Sequence, residues 1–246
     1  MCEKHLQNPF PKALPGTRII GKAIHWYPET ESTNIQALES PCCGEVFIAE
    51  HQTAGRGRHG RKWHSAPGLG LWFSVALTAP LPGVGFGGAL AVRDALASFV
   101  PVRLRWPNDL YCGSRKVGGI LVEQRENRMA LGVGINVNHQ PAEFPPLLRH
   151  RAGSLAMAAG RVLDRPEILV GVLMHLDAMI QRLARSEAAA VRDEWVEACD
   201  IIGRKVRRGN LEGVVTALDT DGALILSTVT GIRRVGCGDI TIVETP

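Results

Sequence analysis

The sequence predicts an α+β chain that ends in a small β-barrel, and three observations predict it. Up to about residue 140, short β-branched and aromatic runs alternate with glycine-rich turns. From Pro166 to Ala190 the apolar residues Ile168, Val172, Leu176 and Ile180 recur every four positions, the period of a helix. After Cys199 short strands and turns resume. A chain of 246 residues accommodates one large domain and a small appendage. The boundary is expected near residue 200, giving units 1–200 and 201–246.

Met1 to Thr17 reads as a loose arm, and Arg18 to Tyr27 as a first strand. Ser32 or Thr33 is a fair N-cap for a short helix running to Glu39. Val46 to Glu50 is a short apolar strand, Gly55 to Gly70 a glycine-rich basic loop, and Leu71 to Leu77 a strand by its aromatic and β-branched content. Gly87 to Val100 reads as a helix with Leu90, Leu96 and Phe99 on one side. Val102 to Trp106 is a strand stopped by Pro107. Lys116 to Gln124 and Arg128 to Asn138 form a strand pair around the turn Arg125-Glu126-Asn127. Asp164 and Pro166 mark the start of the long helix, and a second helical stretch carries Val191, Trp195 and Val196. The final strands are Lys205 to Arg208, Leu211 to Leu218, Ala223 to Ser227, Ile232 to Val235 and Ile240 to Val243, separated by turn-forming Gly-Asn and Asp-Gly pairs.

Composition excludes several classes. With 45% apolar and 21% charged residues, disorder and coiled coil are not expected for the whole chain. No apolar run reaches the roughly 18 residues of a membrane span, and no signal peptide is visible. The cysteines Cys2, Cys42, Cys43, Cys112, Cys199 and Cys237 form no C-x-x-C pair and read as free thiols of a reducing cytoplasm. The histidines lack a metal-binding spacing, so no metal ligand is assigned. The net charge of +4 is too small to indicate a nucleic-acid protein. Its distribution says more. No acid occurs between Glu50 and Asp94, and the gap holds Arg56, Arg58, Arg61, Lys62 and Arg93. A local positive field of this kind fits an anionic ligand.

Gly55-Arg56-Gly57-Arg58-His59-Gly60 matches the dinucleotide fingerprint G-x-G-x-x-G to the letter. That fold also needs a helix opening at the last glycine and an acid about 20 residues on. Arg61-Lys62-Trp63-His64-Ser65-Ala66-Pro67-Gly68 is no helix start, and the acid is missing. The phosphate-binding P-loop fails too, because Arg61 and Trp63 stand where Lys and Ser/Thr are required. Glycines that free the backbone and arginines that offer planar donors remain. By itself the loop fits a small-molecule anion site, an RNA-binding patch or a solvated basic loop. A second group, Arg105-Trp106-Pro107-Asn108-Asp109 followed by Lys116-Val117-Gly118-Gly119, places Asn108 and Asp109 in a turn at a strand end and a lysine before two glycines. Alone it also fits a plain turn and a surface lysine.

Taken in order, Glu31-Ser32-Thr33-Asn34, the Gly55–Trp63 loop, Arg105 to Asp109, Lys116 to Glu123 and Gly132-Val133-Gly134-Ile135-Asn136 resemble the biotin protein ligase family. The likeness runs from about Thr30 to the C-terminus. It implies a mixed-sheet catalytic domain of the biotin/lipoate ligase type, residues 1–200, and an SH3-like barrel, residues 201–246. It also implies a two-step reaction: biotin and MgATP give biotinyl-5′-AMP, and a lysine of a biotin carboxyl carrier protein then displaces AMP. Lys116, Arg58 and Asp109 are the implied catalytic residues. Ser32 and Thr33 would bond the biotin ureido group, with Asn34 and Gln52 beside them. Gly55, Arg56, Gly57, Arg58, Gly60 and Arg61 would form the loop closing over biotin and the phosphates, and Trp63 would shape the adenine side. Lys116 would reach the biotin carboxylate and α-phosphate. Asn108 and Asp109 would position groups around the adenylate and the incoming lysine, Gly118 and Gly119 would form the wall beside biotin, Gly134 would belong to the substrate-binding set, and Asn136 would face the nucleotide or metal region. His59 stands where many members carry another basic residue. Bifunctional members add a DNA-binding helix-turn-helix, for which the roughly 20 residues before the first strand leave no room. No DNA or membrane partner is therefore expected, whereas a homodimer is compatible. Lipoate protein ligase is the neighbouring alternative, and a nucleic-acid-binding protein is the alternative from another class.

Overall fold

The computed structural model describes residues 7–236 and 240–243. A seven-stranded mixed sheet dominates it. Its strands are β1 Ile24–Thr30, β2 Val46–Gln52, β3 Gly70–Thr78, β4 Arg103–Arg105, β5 Asp109–Cys112, β6 Arg115–Arg125 and β7 Arg128–Asn136. Their order is β1-β2-β3-β7-β6-β5-β4; only β1 and β2 run parallel, and the other pairs are antiparallel. Helix α1 (Thr33–Glu39) covers one face with a small cluster of Ala37, Leu38, Phe47, Ala76 and Ala130. Helix α2 (Val84–Leu96), the long α4 (Arg165–Ala184) and α5 (Ala188–Cys199) cover the other. With both faces covered, eight of the nine residues of β3 are buried, so the strand reads as a continuous apolar run without alternation.

The α+β prediction holds, and several boundaries move for physical reasons. The first strand begins at Ile24 and not at Arg18, because the backbone N–H groups of Arg18, Ile19 and Ile20 are taken by the buried carboxylate of Asp177 on α4 at 3.0, 2.7 and 2.8 Å. The described part of the expected loose arm is tied down. Phe10 is buried under the Arg165 guanidinium, and the Ile24 N–H donates to the Lys12 carbonyl at 2.8 Å. Asp109, expected in a turn, starts strand β5, which the sequence reading did not contain. A short helix α3, Leu155–Ala159, was missed as well; Ser154 caps it by accepting from the Met157 N–H at 3.1 Å. The long helix expected to Ala190 breaks into α4 and α5 at Ser186, whose φ is +66°.

The last strands are β8 Lys205–Arg208, β9 Leu211–Leu218, β10 Leu224–Thr228, β11 Gly231–Val235 and β12 Thr241–Ile242. They form an antiparallel sheet in the order β11-β10-β9-β8-β12, which fits the expected SH3-like unit. Its apolar residues Val206, Val215, Leu224, Leu226 and Val235 join the main core, and the Trp106 indole N–H donates to the Gly222 carbonyl at 2.8 Å across the join. Among the described residues no helix is long and apolar enough to cross a membrane. Cys42, Cys43, Cys112 and Cys199 are free thiols, and Cys2 and Cys237 lie outside the described residues.

Candidate active site

A cavity of about 340 Å³ opens between the start of α1, strands β5 to β7 and the basic loop. Ser32, Thr33, Asn34, Gln52, Arg56, Gly57, Arg58, Arg61, Trp63, Asn108, Asp109, Lys116, Gly119, Gly134 and Asn136 all line it. Residues far apart in sequence thus converge. Gly55, Gly60 and Gly118 do not reach the wall. Gly55 sits in the loop stem, where its carbonyl accepts the Trp63 N–H at 2.9 Å; Gly60 is at the tip with φ +70°; Gly118 is packed against Leu110.

The floor is a chain of buried polar groups. Ser32 holds the N-cap position of α1, but its hydroxyl does not cap the helix. Gln52 Oε1 accepts from the Thr33 N–H at 2.9 Å. Thr33 Oγ1 lies 2.7 Å from Ser74 Oγ, Ser74 Oγ donates to Asn34 Oδ1 at 2.6 Å, and Asn34 Nδ2 donates to Glu123 Oε2 at 2.6 Å. Two glycines of β7 make room. A Cβ on Gly132 would stand 2.3 Å from Asn34 Oδ1, and one on Gly134 would stand 2.7 Å from the Trp63 indole.

The wall that carries Lys116 and Asp109 depends on a bulge. Asp109 of β5 pairs with Gly119, while two residues on Tyr111 pairs with Lys116 because the register shifts between Leu110 and Tyr111. Regular pairing would place Val117 opposite Tyr111. The extra residue turns Val117 into the core, where it is fully buried, and brings Lys116 to the face that carries Asp109 and Tyr111. Lys116 Nζ then lies 2.5 Å from Asp109 Oδ1 and 5.5 Å from the centre of the Trp63 ring. Asn108 is fixed beside them by donating from Nδ2 to the Ile120 carbonyl, while the Ile120 N–H donates to the Asn108 carbonyl at 2.9 Å.

The basic loop is a flap with a hydrogen-bonded stem. Arg56 and Lys62 form a bridge, the Gly57 N–H donates to the Arg61 carbonyl at 2.7 Å, and Ser65 Oγ both accepts from the Gln52 N–H and donates to its carbonyl. At its far root Glu50, 1% exposed, accepts the Gly68 N–H at 3.0 Å and forms a two-pronged pair with Arg165 at 2.9 and 3.1 Å. Among the described residues no carboxylate pairs with Arg56 or Arg58, so their charges remain available to a ligand.

With this geometry in view, the comparisons with known proteins decide the family. Residues 26–139 match the model of the biotin/lipoate A/B protein ligase family. The chain is 30% identical to the "Biotin--[acetyl-CoA-carboxylase] ligase" of Mycobacterium tuberculosis, over 96% of each chain. The chain belongs to the biotin/lipoate A/B protein ligase family. It is also 30% identical to the "Bifunctional ligase/repressor BirA" of Bacillus subtilis, over 92% of this chain and 76% of the relative. The biotin protein ligase from Aquifex aeolicus in complex with biotin and ATP superposes with a TM-score of 0.77 at 30% identity, over 90% of this chain and 99% of that one.

The cavity wall also holds residues the motifs did not reveal: Tyr111, Phe144, Leu148, Arg151 and Ala152, with His64 from the flap. The 149–153 segment is held against the start of β6. The Lys116 N–H donates to the Arg151 carbonyl at 2.9 Å, the Gly153 N–H donates to the Lys116 carbonyl at 2.8 Å, and Arg115 Nη1 donates to the Arg149 carbonyl at 2.7 Å. Asn136 Nδ2 joins in by donating to the Gly153 carbonyl at 2.9 Å. No sequence periodicity signals this clamp. Behind it His139 is fully buried and stacks on Phe144; burial first, and neighbouring His64 second, push its pKa down to about 4 against the pull of Glu143, so it is neutral at pH 7. Burial raises the Cys112 thiol to about 11, which removes it as a nucleophile near neutral pH. Asp109 is the one carboxylate among the described wall residues, and no group of three or more His, Cys, Asp or Glu side chains is placed to hold a metal among the described residues.

Proposed function

We propose that this chain is an ATP-dependent biotin protein ligase that forms biotinyl-5′-AMP and transfers biotin to a lysine of a biotin carboxyl carrier protein or domain. The observation that carries the reading is one cavity with two unlike halves. A floor of neutral hydrogen-bonding groups, Thr33 and Gln52, suits a ureido ring, and a cationic rim of Arg56, Arg58, Arg61 and Lys116 suits two anions that repel each other. In the first step a carboxylate oxygen of biotin attacks the α-phosphorus of MgATP; the bond to the bridging oxygen breaks and pyrophosphate leaves. Lys116 offsets negative charge on the carboxylate and α-phosphate, and Arg58 and Arg61 hold the flap over them. In the second step the lysine amine attacks the acyl carbon, AMP leaves, and the amine loses a proton. Asp109, 2.5 Å from Lys116, orients the ammonium and, as the one carboxylate among the described wall residues, is the group that would take up the amine's proton. Mg²⁺ would come in with ATP and help neutralise its phosphates, and the same Asp109 carboxylate is the protein group that could contact it.

The proposal assigns residues 1–200 to catalysis and 201–246 to the SH3-like unit. It carries a cytoplasmic setting with no DNA or membrane partner, and it is compatible with a homodimer, which sedimentation would measure. Pyrophosphate release from ATP with biotin, with lipoate and with no acid tests it. Release with biotin alone supports the reading, and release with lipoate alone replaces it with the lipoate alternative.

A further inference from the structure

We propose that Glu123, which lies outside the cavity wall, sets the direction of the hydrogen bonds beneath the floor and thereby makes the Thr33 hydroxyl an acceptor for a ligand N–H. The inference rests on the biotin reading and deepens it, because the group it selects is a ureido N–H.

A carboxylate only accepts hydrogen bonds. Glu123 Oε2 is 2.6 Å from the Asn34 amide, so the amide must turn its nitrogen toward Glu123; the same nitrogen also faces the Leu121 carbonyl at 3.5 Å. The oxygen of Asn34 therefore faces Ser74, which donates its single proton across 2.6 Å. Ser74 and Thr33 are 2.7 Å apart, and with the Ser74 proton committed the Thr33 proton must point to Ser74. A longer branch of 3.2 Å runs to Gln52 Oε1, itself held as an acceptor by the Thr33 N–H. Thr33 thus meets the cavity with no proton to give and with oxygen lone pairs to offer. Thr33, Asn34 and Ser74 are 4%, 4% and 0% exposed, so solvent has little access to reverse the chain. With a donor in place of Glu123 the amide would flip, Ser74 would donate to Thr33, and the Thr33 hydroxyl would be free to donate into the cavity.

A graded series tests this. Glu123→Gln can accept or donate, Glu123→Lys can only donate, and Asn34→Asp combined with Glu123→Gln restores an acceptor-only group beside Ser74 at unchanged net charge. Pyrophosphate release gives KM for biotin and for ATP, and melting temperature checks folding. Glu123→Lys is expected to raise the biotin KM about tenfold and Glu123→Gln about threefold, the scale of one weakened hydrogen bond, with kcat and the ATP KM within about twofold. The double variant should lie closer to the wild type than Glu123→Gln does. A biotin analogue methylated on a ureido nitrogen should be rejected strongly by the wild type and less strongly by Glu123→Lys. An unchanged biotin KM in both single variants, or a double variant no better than Glu123→Gln, overturns the inference while leaving the ligase reading intact. A wild-type chain that releases no pyrophosphate with biotin overturns both.

Discussion

The floor and the flap of the cavity solve opposite problems. In the floor three polar groups are already engaged by the protein: Thr33 by Ser74, Ser74 by Asn34, Asn34 by Glu123. In the flap Arg56 and Arg58 have no carboxylate partner among the described residues. The floor can therefore select a neutral group by direction, since burial makes an unmatched hydrogen bond costly. The flap exerts its effect by charge, which is strong only once an anion displaces water. A pre-satisfied wall suits selection by direction, and the guanidinium charges of Arg56 and Arg58 suit attraction of an anion.

The sharpest way to break this division is Lys116→Ala, which removes the charge between the two halves. Loss of a charge-assisted contact of about 1.5–3 kcal/mol should slow adenylation about 10- to 100-fold or more. An unchanged rate of biotin-dependent pyrophosphate release would remove Lys116 from the chemistry. Next is Gly132→Ala, whose Cβ would meet Asn34 Oδ1 at 2.3 Å and push the floor apart. It should raise the biotin KM about tenfold with little effect on ATP, as expected for about 1.4 kcal/mol of lost binding; equal rises for both substrates would mean that floor and flap are not separable. Arg58→Gly addresses the flap. The variant should retain the adenylate several-fold less well, on the scale of about 1 kcal/mol for one half-exposed charge contact, and biotin should appear on lysines of an unrelated protein. Retention equal to the wild type, measured by filtration, would contradict the flap's role.

Asp177→Asn is the control, with the smallest effect on activity. Burial alone would raise the Asp177 pKa, but the backbone N–H groups of Arg18, Ile20 and Ile19 and the Gln181 amide outweigh it and hold the carboxylate below its ordinary value. Its contribution to stability is thus present above the unfolded pKa of about 3.9 and is lost as pH falls through the lower folded value. The variant should be less stable by about 1–3 kcal/mol at neutral pH, with both KM values unchanged. The difference in melting temperature should shrink on acidification below about pH 4. A constant difference would show that the carboxylate charge is not what holds residues 18–20.

Much of the site was legible because its chemistry is concentrated in short runs. The acid-free arginine loop stood out by residue type, the Asn108-Asp109 step and Lys116 took their expected roles from the family resemblance of the ordered motifs, and all reach the cavity. Helix α4 was visible from its four-residue period, and strands β2, β3, β6 and β7 from short apolar and β-branched runs bounded by turn residues. Residues that act through distant partners were not legible. Glu123 and Asn34 are 89 positions apart, Arg165 and Glu50 115, and Asp177 and Arg18 159. Hydrogen bonds of this span leave no local pattern.

The sequence by itself determined the charge asymmetry, the order of the motifs and the change from mixed structure to short strands near residue 200, because these follow from local composition. Only the tertiary structure decided which side chains share a wall. The bulge opposite Tyr111 exchanges Val117 for Lys116 on the face that carries Asp109, and the 149–153 segment closes against that strand by backbone bonds. A strand alternates its side chains with a period of two, so one extra residue reverses which of them meets the ligand. Its position was set by how β5 and β6 pair across the sheet.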